Sequence, residues 1–319
     1  MRVLVLGAGG TGGYFGGRLA QSRADVTFLV RPPRAAQLAR DGLRIRSPLG
    51  DADLRVETVT ADALSARAAA APFDLVLLSC KAYDLDSAIA AVAPAVEAGA
   101  AVLPILNGLR HYAALDARFG AERVVGGLCF ISVVKDDDGA IRHLGKPASI
   151  TFGERSGDID SPRTRAFEAL CAQAGIDHLR SPRIAREAWS KYSFLAALAA
   201  GTCLMRAGVG RIVAGEGGRA FMAGLHGECL AVAAAEGEPV PDAAAATARD
   251  TLTQSGSPLE ASMLRDLRGG HAIEGGHIVG DMLHRARAHG IDAPLLATAW
   301  LHLQAYEAGR VEPDNTRLV

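Results

Sequence analysis

Three glycines, Gly7, Gly9 and Gly12, stand at G-x-G-x-x-G spacing directly after Arg2 to Leu6, an apolar run that reads as a short buried strand. The spacing has a specific physical use. Gly7 permits a tight turn, Gly9 lets a pyrophosphate approach the backbone, and Gly12 lets the next helix close onto the strand. A helix from about Thr11 to Ala20 would aim unpaired N–H groups and a positive dipole end at the phosphates. Gly7, Ala8, Gly9, Gly10, Thr11 and Gly12 are therefore expected to cradle a dinucleotide. The alternative is a glycine turn that holds no ligand.

The second strand, Val26 to Val30, decides which dinucleotide. Arg31 follows its end, where such a fold faces the adenine ribose. An acid there accepts hydrogen bonds from the 2′-hydroxyl of NAD, whereas an arginine accommodates the 2′-phosphate of NADP. No Asp or Glu lies between Asp25 and Asp41, and Arg34 adds a second cation nearby. A guanidinium pairs with phosphate through two parallel charge-assisted bonds. NADPH is expected over NADH, against the reading of Arg31 as a solvated loop residue.

Other residue types suited to chemistry lie further along. Lys81 follows the apolar run Phe73 to Ser79, and Asn107 follows Ala101 to Leu106. In a dinucleotide fold both positions overlook the cofactor. The lysine would offset phosphate charge or meet a carboxylate substrate, and the asparagine would bond the nicotinamide ribose. Taken alone, each reads equally as a turn residue. Lys191, within Trp189–Ser190–Lys191, precedes the nearly continuous apolar run Tyr192 to Leu198. A lysine on a helix is usually solvated or snorkelling. Burial beside that run would instead lower its pKa toward a range useful for proton transfer. Ser262 and Glu274 flank the Arg268–Gly269–Gly270 break, one on a helix and the other at the start of the next. By themselves they read as solvated polar residues.

The elements that must position these groups fall into two classes. Strand-like runs at Phe73 to Ser79, Ala101 to Leu106 and Val124 to Val133 alternate with helical patterns at Asp84 to Ala98 and His111 to Phe119. Such alternation implies a parallel, doubly wound sheet. Leu43 to Val59 alternates apolar and polar residues about Pro48–Leu49–Gly50 and predicts a hairpin. Asp136 to Gly139 predicts a turn before a strand at Ala148 to Phe152, so the sheet is expected to end in an antiparallel meander. Beyond Arg180 the chain turns alanine-rich and helical, beginning with Ile184 to Leu204. Breaks fall at Gly208–Gly210, Gly237 to Pro241, Gly256–Pro258 and Gly269–Gly270. The expected fold class is α/β, with an N-terminal Rossmann-type dinucleotide-binding domain over 1–180 and a C-terminal all-helical domain over 181–319. Substrate would enter the cleft at the carboxyl ends of the strands.

Composition narrows the partners. With 319 residues the chain is long enough for two cores. A net charge of −1 gives no electrostatic reason for a nucleic acid or an anionic membrane to bind. Cys80, Cys129, Cys171, Cys203 and Cys229 are scattered without a C-x-x-C pair, and the nine histidines show no ligand spacing, so neither a disulfide frame nor a metal is expected. Met1 leads directly into the first strand, which leaves no segment for a signal peptide and suggests the cytoplasm. The most apolar stretch, Phe194 to Met205, is too short to span a bilayer. The apolar helical half leaves a homodimer open.

These pieces, in this order, resemble the ketopantoate reductase family (2-dehydropantoate 2-reductases) over nearly the whole chain. The resemblance is carried by GAGGTGG at Gly7 to Gly13, Arg31, CKAYD at Cys80 to Asp84, LNG at Leu106 to Gly108, and WSK at Trp189 to Lys191. It continues with Ser262, Met263 and Glu274, and with RARAHGIDAP at Arg285 to Pro294. It implies that Gly7 to Gly12 hold the pyrophosphate and that Arg31 and Lys81 meet the adenosine end or its phosphates. By the same resemblance Asn107 lies beside nicotinamide and substrate, and the backbone at Ile131–Ser132 meets the nicotinamide end. Lys191 is then the proton donor, Ser262 a substrate contact, and Glu274 a carboxylate reaching both cofactor and substrate. The implied reaction is reduction of ketopantoate to pantoate with NADPH.

One departure bears on the substrate. Leu195 stands one helical turn after Lys191, where biosynthetic members usually carry an asparagine, and Leu259 replaces another common polar contact. A pocket without those amides discriminates poorly in favour of a hydroxyl-bearing substrate. Two other readings stay open: an NADP-dependent reductase of a different 2-oxo or 3-hydroxy acid, and a non-catalytic NADP-binding sensor.

Overall fold

The computed structural model describes residues 1–311, so residues 312–319 of the expected second domain lie outside the described residues. The chain forms two compact units. One comprises Met1–Leu106 with His111–Ile184, and the other Asn107–Arg110 with the chain from Ala185 onward.

The first unit opens with β1 (Arg2–Leu6), α1 (Gly10–Gln21), β2 (Asp25–Leu29), α2 (Pro32–Asp41), β3 (Leu43–Arg46) and β4 (Ala52–Leu54). It continues through β5 (Glu57–Val59), α3 (Ala61–Ala70), β6 (Leu75–Leu78), α4 (Leu85–Glu97) and β7 (Ala101–Pro104). Five of the strands make a parallel sheet in the order β5-β2-β1-β6-β7. A parallel sheet is covered on both faces, so its strands must be apolar throughout. Val3, Val5, Leu75 and Leu77 accordingly enter one core, while Leu4, Val76, Leu78 and Val102 enter the other. The two-residue alternation of a strand sends neighbours to opposite faces.

Then follow α5 (His111–Phe119), β8 (Gly126–Lys135), β9 (Ile141–Gly153), α6 (Pro162–Gln173) and β10 (Asp177–Arg180). Here the structure corrects the sequence reading. A second sheet runs β10-β9-β3-β4, with β8 antiparallel to β9 from Gly126↔Gly153 to Lys135↔Ile141. The run Val124 to Val133, expected in the parallel sheet, thus falls largely in β8 and helps build a separate, mixed sheet that does not finish the first one. The expected hairpin exists as β3 and β4, paired Leu43↔Leu54, yet β5 from the same run leaves it to lie parallel to β2. Alternation identifies a strand and its buried face, but the partner is chosen by contacts far along the chain, such as Ile45↔Ile141. β10 lacks an apolar stripe, and it is held by parallel pairing to β9.

The second unit consists of helices: α7 (Ile184–Met205), α8 (Val209–Val213), α9 (Gly218–Ala235), α10 (Asp242–Leu252) and α11 (Ser262–Arg268). A π-helical turn (Gly276–Gly280) leads into α12 (Asp281–Ala288), and α13 (Pro294–Val311) follows. The expected glycine breaks fall between helices, except Gly210, which lies inside α8. Trp189, Tyr192, Ala196, Ala199 and Cys203 of α7 enter one core with Met222, Leu225 and Val232 of α9 and Val279, Met282 and Leu283. Among the described residues no helix is long and apolar enough to cross a membrane, and no group of His, Cys, Asp or Glu is placed to hold a metal ion. Burial pushes the thiols of Cys171 and Cys203 up to about 12.

His226 of α9 sits in this apolar surrounding at 1% exposure, with no hydrogen-bond partner on either ring nitrogen. Burial, with Arg249 nearby, lowers its pKa from 6.5 to about 4. The folded unit therefore holds the neutral ring, while the unfolded chain takes up a proton first as pH falls. Stability is fully present above 6.5 and is lost as pH drops toward about 4. Denaturant titrations of His226→Leu across that window are expected to show a flattened acid limb.

Candidate active site

In the first unit the site begins where β1 ends. Gly7 takes φ +83°, a left-handed conformation that favours glycine, and its N–H donates to the Leu29 carbonyl at 2.8 Å. The helix α1 starts after Gly9 with no side-chain cap and no acid in its first turn. Its first N–H groups thus lack both intrahelical partners and a competing carboxylate. A Cβ on Gly9 would meet nothing within 4 Å, so the backbone there borders open space. A Cβ on Gly12 would strike Ser79 Oγ and come 2.6 Å from the Gly7 carbonyl oxygen. Open space over bare N–H donors, held by a helix that tolerates no side chain at Gly12, fits a pyrophosphate.

Arg34 plays a different part from the one its position suggests. Its Nη2 donates to the Ala8 carbonyl at 2.9 Å and to the Gly139 carbonyl at 3.0 Å, while Nη1 donates to Gln37 Oε1 at 2.6 Å. It is a strut for the glycine loop. Arg31 reaches outward, with its side chain 78% exposed and Nη2 3.0 Å from Asp84 Oδ1. Because β2, β1 and β6 are parallel neighbours, Arg31 and the segment Lys81 to Asp84 leave the same edge of the sheet as the glycine loop. Lys81 is half-buried and begins the turn Ala82–Asp84. Ser132 lies in β8 where the pairing to β9 shifts register, between Ile131 and Val133. Val133 borders the start of α1, since a Cβ on Gly10 would lie 3.3 Å from its carbonyl oxygen. The start of α1 and the part of β8 next to Ser132 are thus brought side by side.

The second unit gathers the remaining candidates. Lys191 Nζ donates to Asn107 Oδ1 at 3.0 Å, joining two residues far apart in sequence. The turn after Asn107 needs glycine: Gly108 has φ +77°, and a Cβ there would come 2.9 Å from both the ring and the carbonyl oxygen of His277. His277 lies in the π-turn, and burial lowers its pKa against the opposing pull of Glu274 and Asp281. Glu274, only 6% exposed, precedes that turn, and its carbonyl accepts from the N–H groups of His277 and Ile278 at 3.1 and 3.0 Å. Ser262 is the first residue of α11 and is half-buried. On α7 the half-buried positions Glu187, Ser190, Lys191, Phe194 and Leu195 form one stripe at helical spacing. The ammonium is therefore followed on its own face by apolar side chains.

Sequence reasoning missed Asp84 as the partner of Arg31, and Tyr192, His277 and Asp281 around the π-turn. The i,i+4 spacing of Asp281 and Arg285 is a visible signal for part of this. A π-turn has no comparable signature in the sequence.

Comparison with known proteins is consistent across the chain. Residues 3–157 match the family described as ketopantoate reductase PanE/ApbA, and residues 183–307 match its C-terminal counterpart. An uncharacterized oxidoreductase of Bacillus subtilis, YkpB, is 39% identical over 308 residues, covering 97% of this chain and 99% of that protein. The 2-dehydropantoate 2-reductase of Halobacterium salinarum is 30% identical, covering 93% of this chain and 96% of its own. The crystal structure of a PanE/ApbA family ketopantoate reductase from Ralstonia eutropha superimposes with a TM-score of 0.85 at 28% identity, covering 98% of this chain and all of that one.

The glycine loop yields a direct test. Gly12→Ala drives a methyl group toward the Gly7 carbonyl and must shift α1 from the strand. Denaturant unfolding is expected to show a loss of roughly 1–3 kcal/mol of stability from such overpacking, and fluorescence titration a weakened affinity for dinucleotide.

Proposed function

The chain belongs to the ketopantoate reductase PanE/ApbA family, and from that premise we propose that it reduces 2-dehydropantoate to (R)-pantoate with NADPH, a step of pantothenate and coenzyme A biosynthesis. The reading makes it a cytoplasmic enzyme of a small-molecule substrate, with no nucleic-acid or membrane partner. The observation that carries it is the bond from Lys191 Nζ to Asn107 Oδ1, made in the unit that also buries Glu274.

The proposed roles follow from charge. Gly7, Ala8, Gly9, Gly10, Thr11 and Gly12 hold the pyrophosphate through backbone N–H groups. Arg31, exposed and already placed by Asp84, offers its guanidinium to a 2′-phosphate, and Lys81 offsets charge at the same edge of the sheet. Asn107, Ser132 and Glu274 serve the nicotinamide end. When bound, the reduced nicotinamide supplies hydride to the keto carbon. Negative charge then builds on the carbonyl oxygen. The Lys191 ammonium stabilises that charge and delivers the proton. Asn107 Oδ1 takes one of the three ammonium N–H bonds and so orients the other two. Ser262 and Glu274 accept or donate to the polar groups of the substrate.

A second reading is favoured by Phe194 and Leu195, which share the half-buried stripe with Lys191, and by the half-buried Leu259. These side chains offer a hydroxyl-bearing substrate no hydrogen bond and suit a 2-oxo acid with an apolar tail. The reaction type is the same under both readings.

One set of assays tests all of this. NADPH oxidation is followed with ketopantoate and with a panel of 2-oxo acids, and NADH is run beside it. Lys191→Ala is expected to lower kcat by about a hundredfold to ten-thousandfold with the NADPH KM nearly unchanged. Full turnover by that variant refutes the proton donor. Arg31→Ala is expected to raise the KM for NADPH and leave that for NADH in place; an unchanged NADPH KM refutes the 2′-phosphate contact.

A further inference from the structure

Tyr192, the neighbour of Lys191, lies about 100° further round α7 and is 2% exposed. Its phenol donates to the Ile278 carbonyl at 2.8 Å and stands 3.0 Å from Asp281 Oδ2. The same Oδ2 accepts from Arg285 Nε at 2.9 Å, and Arg285 Nη1 reaches Glu236 Oε2 at 2.7 Å. Burial, reinforced by Asp281, raises the phenol's pKa well above 10, so the group remains a donor. A buried tyrosine among apolar helices needs only one hydrogen bond to satisfy it. Here it meets a backbone carbonyl in a turn whose own ladder is irregular.

Ile278 is the link that gives this contact a consequence. Its N–H donates to the Glu274 carbonyl at 3.0 Å, while its own carbonyl receives the Tyr192 phenol. A π-turn widens the helix and displaces its hydrogen-bond ladder, so its conformation is set by what holds it from outside. The Gly108 backbone lies against His277, and Tyr192 stands at Ile278. The two holds lead back to one place, because Gly108 follows Asn107, which binds Lys191, and Tyr192 follows Lys191 itself. Asp281 and Arg285 keep the phenol from swinging away.

We propose that Tyr192 is a positioning residue for the reaction: its phenol clamps the π-turn at Ile278 and so fixes Glu274 with respect to the helix that carries Lys191. The inference rests on the roles proposed above for Lys191 and Glu274. Tyr192 touches no reacting atom; it acts through Ile278. Removing its hydroxyl leaves the ring in the core and frees the turn to re-form one hydrogen bond out of place.

The test is a double-mutant cycle on the full-length protein. Tyr192→Phe is expected to lower kcat for the 2-oxo acid by about tenfold to a hundredfold, the range a small misplacement costs. Its NADPH KM should stay within about twofold. Added to Glu274→Gln, which removes the group it positions, it should cost almost nothing further, as groups acting as a unit do. A lowered melting temperature with unchanged kcat, or losses that multiply in the double variant, would overturn the clamp. If Tyr192→Phe does not fold, Asp281→Asn takes its place in the cycle, with the same expectations. If Lys191→Ala keeps full turnover, the proton-donor reading fails separately. Amide hydrogen exchange then decides the clamp: faster exchange confined to residues 274–281 in Tyr192→Phe supports it, and unchanged exchange refutes it.

Discussion

A helix that starts Gly-Thr-Gly-Gly and continues Tyr-Phe-Gly-Gly has little reason to form in water, where each interior glycine costs about 0.5–1 kcal/mol relative to alanine. It forms here because those glycines let it lie against the sheet. A Cβ on Gly16 would come 2.8 Å from the Phe28 ring and 2.9 Å from Val5, and one on Gly17 would press on Ile45 and Leu43. The helix therefore touches strands of both sheets in the first unit. Without that close approach, the N-terminal N–H groups would not be held over the end of β1, and the loop could not offer an anion several donors at once.

The helical unit meets a different constraint. An apolar core built largely of alanine and leucine has only a loose internal preference for how far each helix is rotated about its own axis. Polar groups tighten that preference, since an unpaired buried donor or charge is costly while a paired one is specific. Tyr192, Asp281, Arg285 and Glu236 form such a chain from α7 through α12 to the end of α9. Fixing Tyr192 inward fixes Lys191, its neighbour, on the half-buried stripe. The position of the ammonium is thus set through the adjoining, buried face of its own helix.

Much of this was legible in the residues. The glycine spacing, the apolar strands of the parallel sheet and the start of α7 at Ile184 all follow from local pattern. The partition of strands between two sheets did not, because β3 and β5 read alike and only distant β9 and nearby β2 tell them apart. Arg34 looked like a cation beside Arg31, yet its guanidinium is consumed by backbone carbonyls that no sequence window contains. Asn107 and Lys191 were separate candidates on separate grounds. Their hydrogen bond depends on Gly108 turning the chain against His277, a contact set by the tertiary fold.

Arg34 carries one more implication. A single side chain spans the first βα loop and the β8–β9 turn at Gly139, where a Cβ would clash with both Arg34 and Gln37. Insertions or deletions in that distant hairpin would consequently be transmitted to the Ala8 peptide, so its length is under a restraint that an exposed surface turn ordinarily escapes. Drift in the periphery of the second sheet is coupled, through one planar cation, to the shape of the cradle.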